Sequence, residues 1–128
     1  MADRLGRILI IDDETNLQRV LKHALERAGY TVEATGDGDV ALSQLSEESY
    51  DLVLCDIHMP GLSGPELFRQ LEAHNPDLKN RILFMTGDTV TPNTQRFLKE
   101  SQIPCLQKPF SLAVLHRFVR DMIRQDPA

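Results

Sequence analysis

The sequence contains few of the residues that mark secreted, membrane-spanning or nucleic-acid-binding proteins. It has two cysteines, no tryptophan and only 5% aromatic residues. Its 14 lysines and arginines are outnumbered by 19 aspartates and glutamates, which gives a formal net charge of -5. Because nucleic acids and anionic membranes select basic surfaces, we expect no direct binding to either. No apolar run approaches the roughly 20 residues that a membrane-spanning helix requires.

The two cysteines and the N-terminal segment bear on where the protein resides. Cys55 and Cys105 both lie in apolar, strand-like runs, which favours buried, reduced thiols over a disulfide. The N-terminal sequence MADRLGRILIIDDE has charges inside and after its short apolar segment, unlike a secretory signal peptide. We therefore expect a cytoplasmic protein. Its 128 residues are enough for one domain with a single closed core.

Short apolar runs alternate with helical patterns along the chain. The runs predict β-strands at residues 7–11, 31–35, 51–55, 81–86 and 103–107. Strands that alternate with helices indicate βαβ units, a parallel sheet and right-handed crossovers. Helices must then cover both faces of the sheet, which explains why several strands lack polar alternation. We predict one compact, doubly wound α/β domain over residues 1–128, with a core at about 7–124 and loose ends.

Capping signals and apolar stripes place a helix after each predicted strand. Thr15 and Gln18 are spaced as a capping box, and Gly29 stands where a helix C′ glycine belongs. The later helices are predicted to open near Asp37, at Ser63-Gly64-Pro65-Glu66, at Thr91-Pro92 and at Ser111. The predicted apolar stripes comprise Leu17, Val20, Leu21, Ala24, Leu25 and Ala28 in the first helix, Val40, Ala41 and Leu45 in the second, and Leu112, Leu115, Val119, Met122 and Ile123 in the last.

Polar side chains gather just where the predicted strands end. Asp12 and Asp13 follow the first strand, Asp56 the third, Thr86 closes the fourth, and Lys108 follows the fifth. Ligands of open parallel sheets bind beyond these carboxyl ends. Two carboxylates about 4 Å apart repel by about 4 kcal/mol at an effective dielectric constant of about 20, so such a cluster must raise a pKa or bind a cation.

Mg²⁺ is the cation that this set suits, because it takes one or two carboxylates together with a phosphate. A carboxylate beside the metal can act as a nucleophile toward a phosphoryl group. Lys108 and the Thr86 hydroxyl are natural partners for the phosphoryl oxygens. Each residue alone has an ordinary structural explanation, such as a turn-forming aspartate or a surface lysine, and only the joint arrangement favours a site. Glu14 is expected to serve as a helix N-terminal acid.

Four segments in order carry a family resemblance: IIDDE (10–14), LCDIHMPG (54–61), MTGD (85–88) and QKPF (107–110). The sequence resembles the receiver domain of bacterial two-component response regulators over almost its whole length. The resemblance implies a flavodoxin-like (βα)5 fold with strand order 2-1-3-4-5 and a signalling role rather than an enzyme's. It implies that Asp56 accepts a phosphoryl group. Mg²⁺ would be bound by Asp12, Asp13, Asp56 and the backbone carbonyl of His58.

The same resemblance assigns the remaining site residues and the partners. Thr86 corresponds to the switch hydroxyl and Lys108 to the lysine that contacts the phosphoryl group, with a cis peptide bond before Pro109. The phosphoryl donor would be a histidine kinase or a histidine phosphotransfer domain. Phosphorylation would change the surface of the fourth helix, fifth strand and fifth helix, which would contact an output partner or a second copy. On the last helix, Val114 and Phe118 lie off the apolar stripe and are candidates either for that surface or, as is more common, for the periphery of the core.

One position departs from the family pattern. The family commonly has Tyr or Phe three residues before the lysine, as a side chain that changes rotamer with the switch threonine. Here that position is Cys105, so a swinging aromatic residue at this place is excluded. The neighbouring segment IPCLQKPF resembles receivers of hybrid histidine kinases. A stand-alone regulator, part of a longer regulator and a hybrid-kinase receiver all remain open.

Three alternatives from other classes remain. A haloacid-dehalogenase-like phosphatase also uses an aspartate nucleophile and Mg²⁺, but it has a second aspartate two residues later, where this sequence has His58. An FMN-binding flavodoxin needs a phosphate loop rich in Ser, Thr and Gly after the first strand, whereas DDET (12–15) offers acids. A degenerate receiver that acts as a docking module is disfavoured by the presence of Asp13, Asp56 and Lys108.

The His58 side chain is expected to be exposed beside the site, where it would affect the lifetime of the phosphoryl group.

Overall fold

The structure, a computed structural model, describes residues 5–58, 64–74, 76–87 and 91–123. Its sheet contains the strands β1 (Arg7–Ile11), β2 (Thr31–Thr35), β3 (Leu52–Asp56), β4 (Ile82–Thr86) and β5 (Cys105–Gln107). All neighbouring pairs are parallel, and the strand order is β2-β1-β3-β4-β5. The flavodoxin-like order 2-1-3-4-5 is thereby confirmed.

Among the residues described, five α-helices connect and follow these strands. They are α1 (Thr15–Arg27), α2 (Gly38–Glu47), α3 (Gly64–His74), α4 (Pro92–Ser101) and α5 (Leu112–Ile123). A 3-10 helix at Pro76–Asn80, between α3 and β4, was not predicted. Within the described ranges, no helix is long and apolar enough to cross a membrane.

The core consists of two clusters of buried side chains, one on each face of the sheet. Alternate residues of β1, β3 and β4, such as Leu9, Val53 and Phe84, belong to the cluster that includes α3 side chains. The residues between them, such as Ile10 and Leu54, belong to the cluster that includes side chains of α1 and α5. Because β3 and β4 lie inside the sheet and are covered on both faces, they are buried along their whole length.

Three of the predicted helix starts are confirmed, and each is capped by a side chain. The Asp37 carboxylate accepts hydrogen bonds from the backbone N–H groups of Asp39 and Val40, at 2.8 and 3.2 Å. Thr91 Oγ1 accepts from the N–H of Thr94 at 3.2 Å, and Ser111 Oγ from the N–H of Val114 at 3.1 Å. The proposed cap at Ser63 lies outside the described residues. At the end of α1, Gly29 adopts the positive φ of +109° expected of a C′ glycine.

The strand boundaries differ slightly from those predicted. β3 spans residues 52–56, so that Asp56 is the last residue of the strand rather than the first beyond it. β4 begins at Ile82, one residue later than predicted. β5 begins at Cys105, since Pro104 immediately before it has no N–H to donate to the neighbouring strand.

Two expectations about the helices were wrong. The capping box of Thr15 and Gln18 is absent: Glu14 is the N-cap of α1 and makes no side-chain cap bond. The predicted apolar stripes were too wide, because only their centres face the sheet, and four stripe residues are exposed: Val20, Ala28, Val40 and Leu112. Of the two residues off the stripe of α5, Phe118 packs against the buried cluster beneath the helix, whereas Val114 is 36% exposed.

Candidate functional site

The sheet brings the predicted acidic residues together at the carboxyl ends of its two central strands. β1 and β3 are hydrogen-bonded neighbours, with Ile11 beside Cys55, so Asp12 and Asp56 follow at the same edge. Carboxylate oxygens of Asp12, Asp13 and Asp56 lie within 4.8 Å of one another. Asp12 is completely buried and Asp56 is 8% exposed, whereas Asp13 is exposed. The site is therefore a cleft with two acids in its floor and one at its rim.

Lys108 provides a positive charge for this cleft. Its Nζ lies 2.9 Å from Asp12 Oδ2 and 3.3 Å from Asp56 Oδ2. The backbone N–H of Lys108 donates to the Thr86 carbonyl at 2.7 Å, which ties the end of β5 to the end of β4. The Lys108–Pro109 peptide bond is cis. Since β4 lies between β3 and β5, the lysine side chain must reach across one strand to meet both carboxylates.

The second oxygen of each buried carboxylate is held by the backbone. Asp12 Oδ1 accepts from the N–H of Glu14 at 2.8 Å, and Asp56 Oδ1 accepts from the N–H of His58 at 3.0 Å. Both are turns in which an aspartate bonds the amide two residues ahead. These bonds fix the orientation of the two carboxylates, and they explain why Glu14 lies at the start of α1 rather than in the cleft.

The cleft holds more negative than positive charge, and the side chains of Asp12, Asp56 and Lys108 are partly or wholly buried. Burial raises the pKa of Asp56, even though the His58 amide and Lys108 both favour its ionised form. Burial would lower the pKa of Lys108, but its hydrogen bond and charge interaction with Asp12, aided by Asp56, outweigh this and raise it. One ammonium group thus faces three carboxylates. A set of oxygen ligands with a surplus of negative charge fits a hard divalent cation such as Mg²⁺.

Thr86 and His58 flank these charged groups. Thr86 is 6% exposed, and its Oγ1 lies 3.5 Å from the Gly87 carbonyl oxygen, to which it donates a hydrogen bond. It follows Met85, which is the register partner of Asp56, so the hydroxyl belongs to the strand next to the cleft. The His58 side chain is exposed, as expected.

The cysteines are structural. Cys55 is 1% exposed, and burial, followed by the charges of Asp56 and Asp12, raises the pKa of its thiol. Cys105 is half-buried beside Phe84, its register partner on β4, and burial raises its thiol pKa as well. Neither environment favours the reactive thiolate form. Both cysteines are free thiols.

Several groups that surround the acidic loop were not predicted from the sequence. The Gln18 side-chain amide donates a hydrogen bond to the backbone carbonyl of Asp12. A Cβ atom on Gly36 would lie 3.3 Å from that same oxygen, so the turn after β2 closes directly on it. A Cβ on Gly64 would lie only 2.9 Å from Ile57 Cα, which allows α3 to start against the end of β3. Glycine at 36 and 64 was a readable signal of close approach, whereas the spacing of Gln18 from Thr15 indicated a capping box and not a bond to the acidic loop.

Comparison with known proteins finds response regulators, the class of protein that the sequence motifs resemble. The sequence is 37% identical over 119 residues to the response regulator receiver protein CpdR of Brucella abortus, covering 93% of this chain and 98% of that protein. It is 34% identical over 121 residues to the transcriptional regulatory protein YkoG of Bacillus subtilis, covering 94% of this chain but 52% of the regulator. The chain therefore spans about half the length of some of the curated relatives it matches.

Solved structures agree in fold. The receiver domain of the sensor histidine kinase PA1611 from Pseudomonas aeruginosa, described with a magnesium ion coordinated in its active-site cleft, superposes with a TM-score of 0.83 at 27% identity. That match covers 94% of this chain and 98% of the other. The receiver domain of a Francisella response regulator gives a TM-score of 0.82 at 25% identity, covering 95% of this chain and 99% of the other.

The family match itself covers most of the described fold. The response regulator receiver domain pattern aligns with residues 8–120, from β1 into α5. That interval includes the acidic cluster, Thr86 and Lys108, and the strand order agrees with it. The chain belongs to the response regulator receiver domain family, whose members are signalling domains of two-component systems.

Proposed function

We propose that this domain accepts a phosphoryl group on Asp56 from a phosphohistidine of a histidine kinase or phosphotransfer domain. The observation that carries the proposal is the environment of the Asp56 carboxylate. One of its oxygens is held by the His58 amide and the other by Lys108, at a cleft with two further carboxylates. These bonds orient the carboxylate as a nucleophile, while the exposed rim leaves it within reach of a donor.

The transfer itself is a single displacement at phosphorus. An oxygen of Asp56 forms the new P–O bond, the P–N bond of the phosphohistidine breaks, and its electron pair returns to the imidazole nitrogen. Lys108, already 3.3 Å from Asp56, would contact a phosphoryl oxygen, and the Thr86 hydroxyl would turn from the Gly87 carbonyl to donate to another.

Asp12, Asp13, Asp56 and the His58 carbonyl are the ligands we propose for Mg²⁺. When bound, the ion would neutralise charge on the cleft and on the transferring phosphoryl group. The PA1611 receiver, with magnesium in its cleft, supports this assignment. The cluster of three acids in this chain, served by one lysine, supports it independently.

The proposed response is a change in the packing of α4, β5 and α5. Phosphorylation adds about -1.5 to -2 charges, which draw Thr86 toward the phosphoryl oxygens. Phe84, on the same strand as Thr86, packs edge-on against Phe97 of α4 with ring centroids 5.6 Å apart. Phe97 also meets Phe68 of α3 at 5.8 Å. With Cys105 in the usual aromatic position, this ring contact is the route by which β4 would bias α4.

The partners would be the kinase or phosphotransfer domain, and a second copy or an output protein at the α4-β5-α5 surface. Direct contact with nucleic acid or membrane is not part of the proposal, in keeping with the net charge of -5. The free thiols of Cys55 and Cys105 support a cytoplasmic location. A phosphorylation-independent docking module and an aspartate-nucleophile phosphatase are the competing functions.

Intact-mass spectrometry after incubation with acetyl phosphate separates these functions. We expect one phosphoryl adduct that requires Mg²⁺ and that decays over time. A folded protein that forms no adduct, with or without Mg²⁺, would favour the docking module. Repeated release of phosphate from many equivalents of donor, without an accumulating adduct, would favour the phosphatase.

The response can be tested separately from the chemistry with Thr86→Ala. This variant should still form the adduct but lose most of the phosphorylation-induced NMR shift changes in α4 and α5. Thr35→Ala is the matched control, because Thr35 closes the edge strand β2 as Thr86 closes β4. Undiminished shift changes in phosphorylated Thr86→Ala would contradict the proposed coupling of Thr86 to α4 and α5.

A further inference from the structure

The rim acid Asp13 differs from the other two acids in how it is held. Asp12 and Asp56 are each fixed by a backbone amide and by Lys108. Among the residues that the structure describes, no hydrogen bond or ion pair restrains the Asp13 carboxylate. Its direction toward the cleft must therefore come from its backbone, and first from the peptide unit that joins it to Asp12.

Gln18 fixes that peptide unit. Its side-chain amide donates to the Asp12 carbonyl, the oxygen of the planar group that ends at the Asp13 nitrogen. On the other side of Asp12, the backbone N–H donates to the Thr35 carbonyl at 3.0 Å. Gln18 is itself anchored, since its N–H donates to the Glu14 carbonyl at 3.0 Å in the first turn of α1. The acidic loop is thus bonded to α1 and to β2 at once.

The turn after β2 packs onto the same atoms. A Cβ on Gly36 would lie 3.2 Å from Gln18 Nε2, 3.3 Å from the Asp12 oxygen and 3.3 Å from Asp13 Cα. These are tighter than nearly all real contacts of this kind. Glycine therefore allows the turn to close over the hydrogen bond, and Gln18, Asp12 and Gly36 form one packed unit behind Asp13.

We propose that Gln18 is a positioning residue of the cation site, which acts by holding the Asp12–Asp13 peptide so that Asp13 faces Asp12 and Asp56. This rests on the proposed function only in taking the three carboxylates as the ligands of Mg²⁺. A neutral carboxamide suits the task, because it donates a hydrogen bond next to the acidic cluster without adding charge. Without that bond, the Asp12–Asp13 peptide can rotate, and the Asp13 carboxylate then points in several directions instead of one.

The test is the Mg²⁺ affinity of the unphosphorylated protein. It is measured from the change of amide NMR shifts on titration with Mg²⁺, at constant ionic strength and well below the unfolding temperature. Gln18→Met keeps the length of the side chain but removes its donor. A lost neutral hydrogen bond is expected to weaken Mg²⁺ binding about fivefold. Gly36→Ala crowds the same peptide from the other side and should weaken binding as well. Gln70→Met, on the exposed face of α3, should bind as wild type does.

The measurement distinguishes this inference from the function on which it rests. Wild-type affinity in a folded Gln18→Met variant would overturn the positioning role and leave the proposed function intact. Failure of the wild-type protein to bind Mg²⁺ would overturn both. A merely structural role predicts a lower unfolding temperature for Gln18→Met with unchanged Mg²⁺ affinity, and that result would also contradict the proposal.

Discussion

The two ends of the sheet carry similar charge clusters with opposite electrostatic outcomes. At the amino end of β1, Arg7 Nη2 lies 2.8 Å from Glu33 and 2.8 Å from Glu48. At the carboxyl end, Lys108 Nζ lies 2.9 Å from Asp12 and 3.3 Å from Asp56. In both clusters one cation bridges two carboxylates. Yet the pKa of Glu33 is lowered, while that of Asp56 is raised.

Access to water explains the difference. The Glu33 side chain is 34% exposed, and the Tyr50 hydroxyl and Arg7 both donate to it, so its ionised form is favoured. The Asp56 side chain is 11% exposed, and loss of water costs its charge more than His58 and Lys108 return. In the basal cluster (Arg7, Glu33 and Glu48) the charges are stabilised by one another and by water. The apical cluster (Lys108, Asp12 and Asp56), with Asp13 added, needs further positive charge.

The largest difference between the two clusters is expected when the positively charged side chain of Lys108 is removed. Lys108→Met leaves buried carboxylates without a counterion, and we expect a loss of roughly 3 kcal/mol in the free energy of unfolding. Mg²⁺ should restore part of this loss, because the ion would replace the missing charge. Urea unfolding with and without Mg²⁺ measures both effects. Lys99→Met, at an exposed position of α4, is the control, and equal losses in the two variants would contradict the comparison.

The same substitution at the basal cluster should have a smaller effect. Arg7→Met removes two ion pairs and the stacking of the guanidinium over the Tyr50 ring, at 5.0 Å from its centroid. Water can solvate the two glutamates that remain, so the unfolding midpoint should fall less than in Lys108→Met. The loss should be the same with and without Mg²⁺. A loss that Mg²⁺ reverses would show that the ion does not distinguish the two ends.

The smallest effect concerns acid stability. Since the pKa of Glu33 is lowered in the folded state, its ionisation stabilises the fold above its ordinary value of 4.5, and this stabilisation is lost as the pH falls through the folded pKa. Glu33→Gln should therefore lose less stability than wild type between about pH 5 and pH 3. Glu26→Gln, at an exposed position of α1, should follow the wild-type curve. Parallel curves for wild type and Glu33→Gln would refute the assigned shift.

The acidic site could be read from the sequence because topology alone brings its members together. Asp12, Asp56 and Lys108 each stand at the end of an apolar run, and parallel strands end at one edge. What positions them could not be read. The spacing of Gln18 from Thr15 indicated a capping box. Its actual partner, the Asp12 carbonyl, lies outside the helix, and spacing along a helix carries no information about such a partner.

The helix stripes show a similar limit. Apolar periodicity located α1 and α5, but it assigned Val20 and Leu112 to the core, and it left Phe118 off the stripe although its side chain packs against the buried cluster. Periodicity defines a face of a helix, whereas burial depends on how far the sheet extends beneath it and on the reach of each side chain. Phe118 is long enough to return to the core from the margin of the stripe.

The most direct test of the account is to locate the phosphoryl adduct. After incubation with acetyl phosphate and Mg²⁺, borohydride reduction converts an acyl phosphate of aspartate to homoserine, which peptide mass spectrometry can place in the sequence. We predict homoserine at position 56 and nowhere else, with no product in Asp56→Asn and normal product in the control Asp39→Asn. Reduction at Asp12 or Asp13 in the wild-type protein, or an undiminished adduct in Asp56→Asn, would contradict the assignment of Asp56 as the phosphoacceptor.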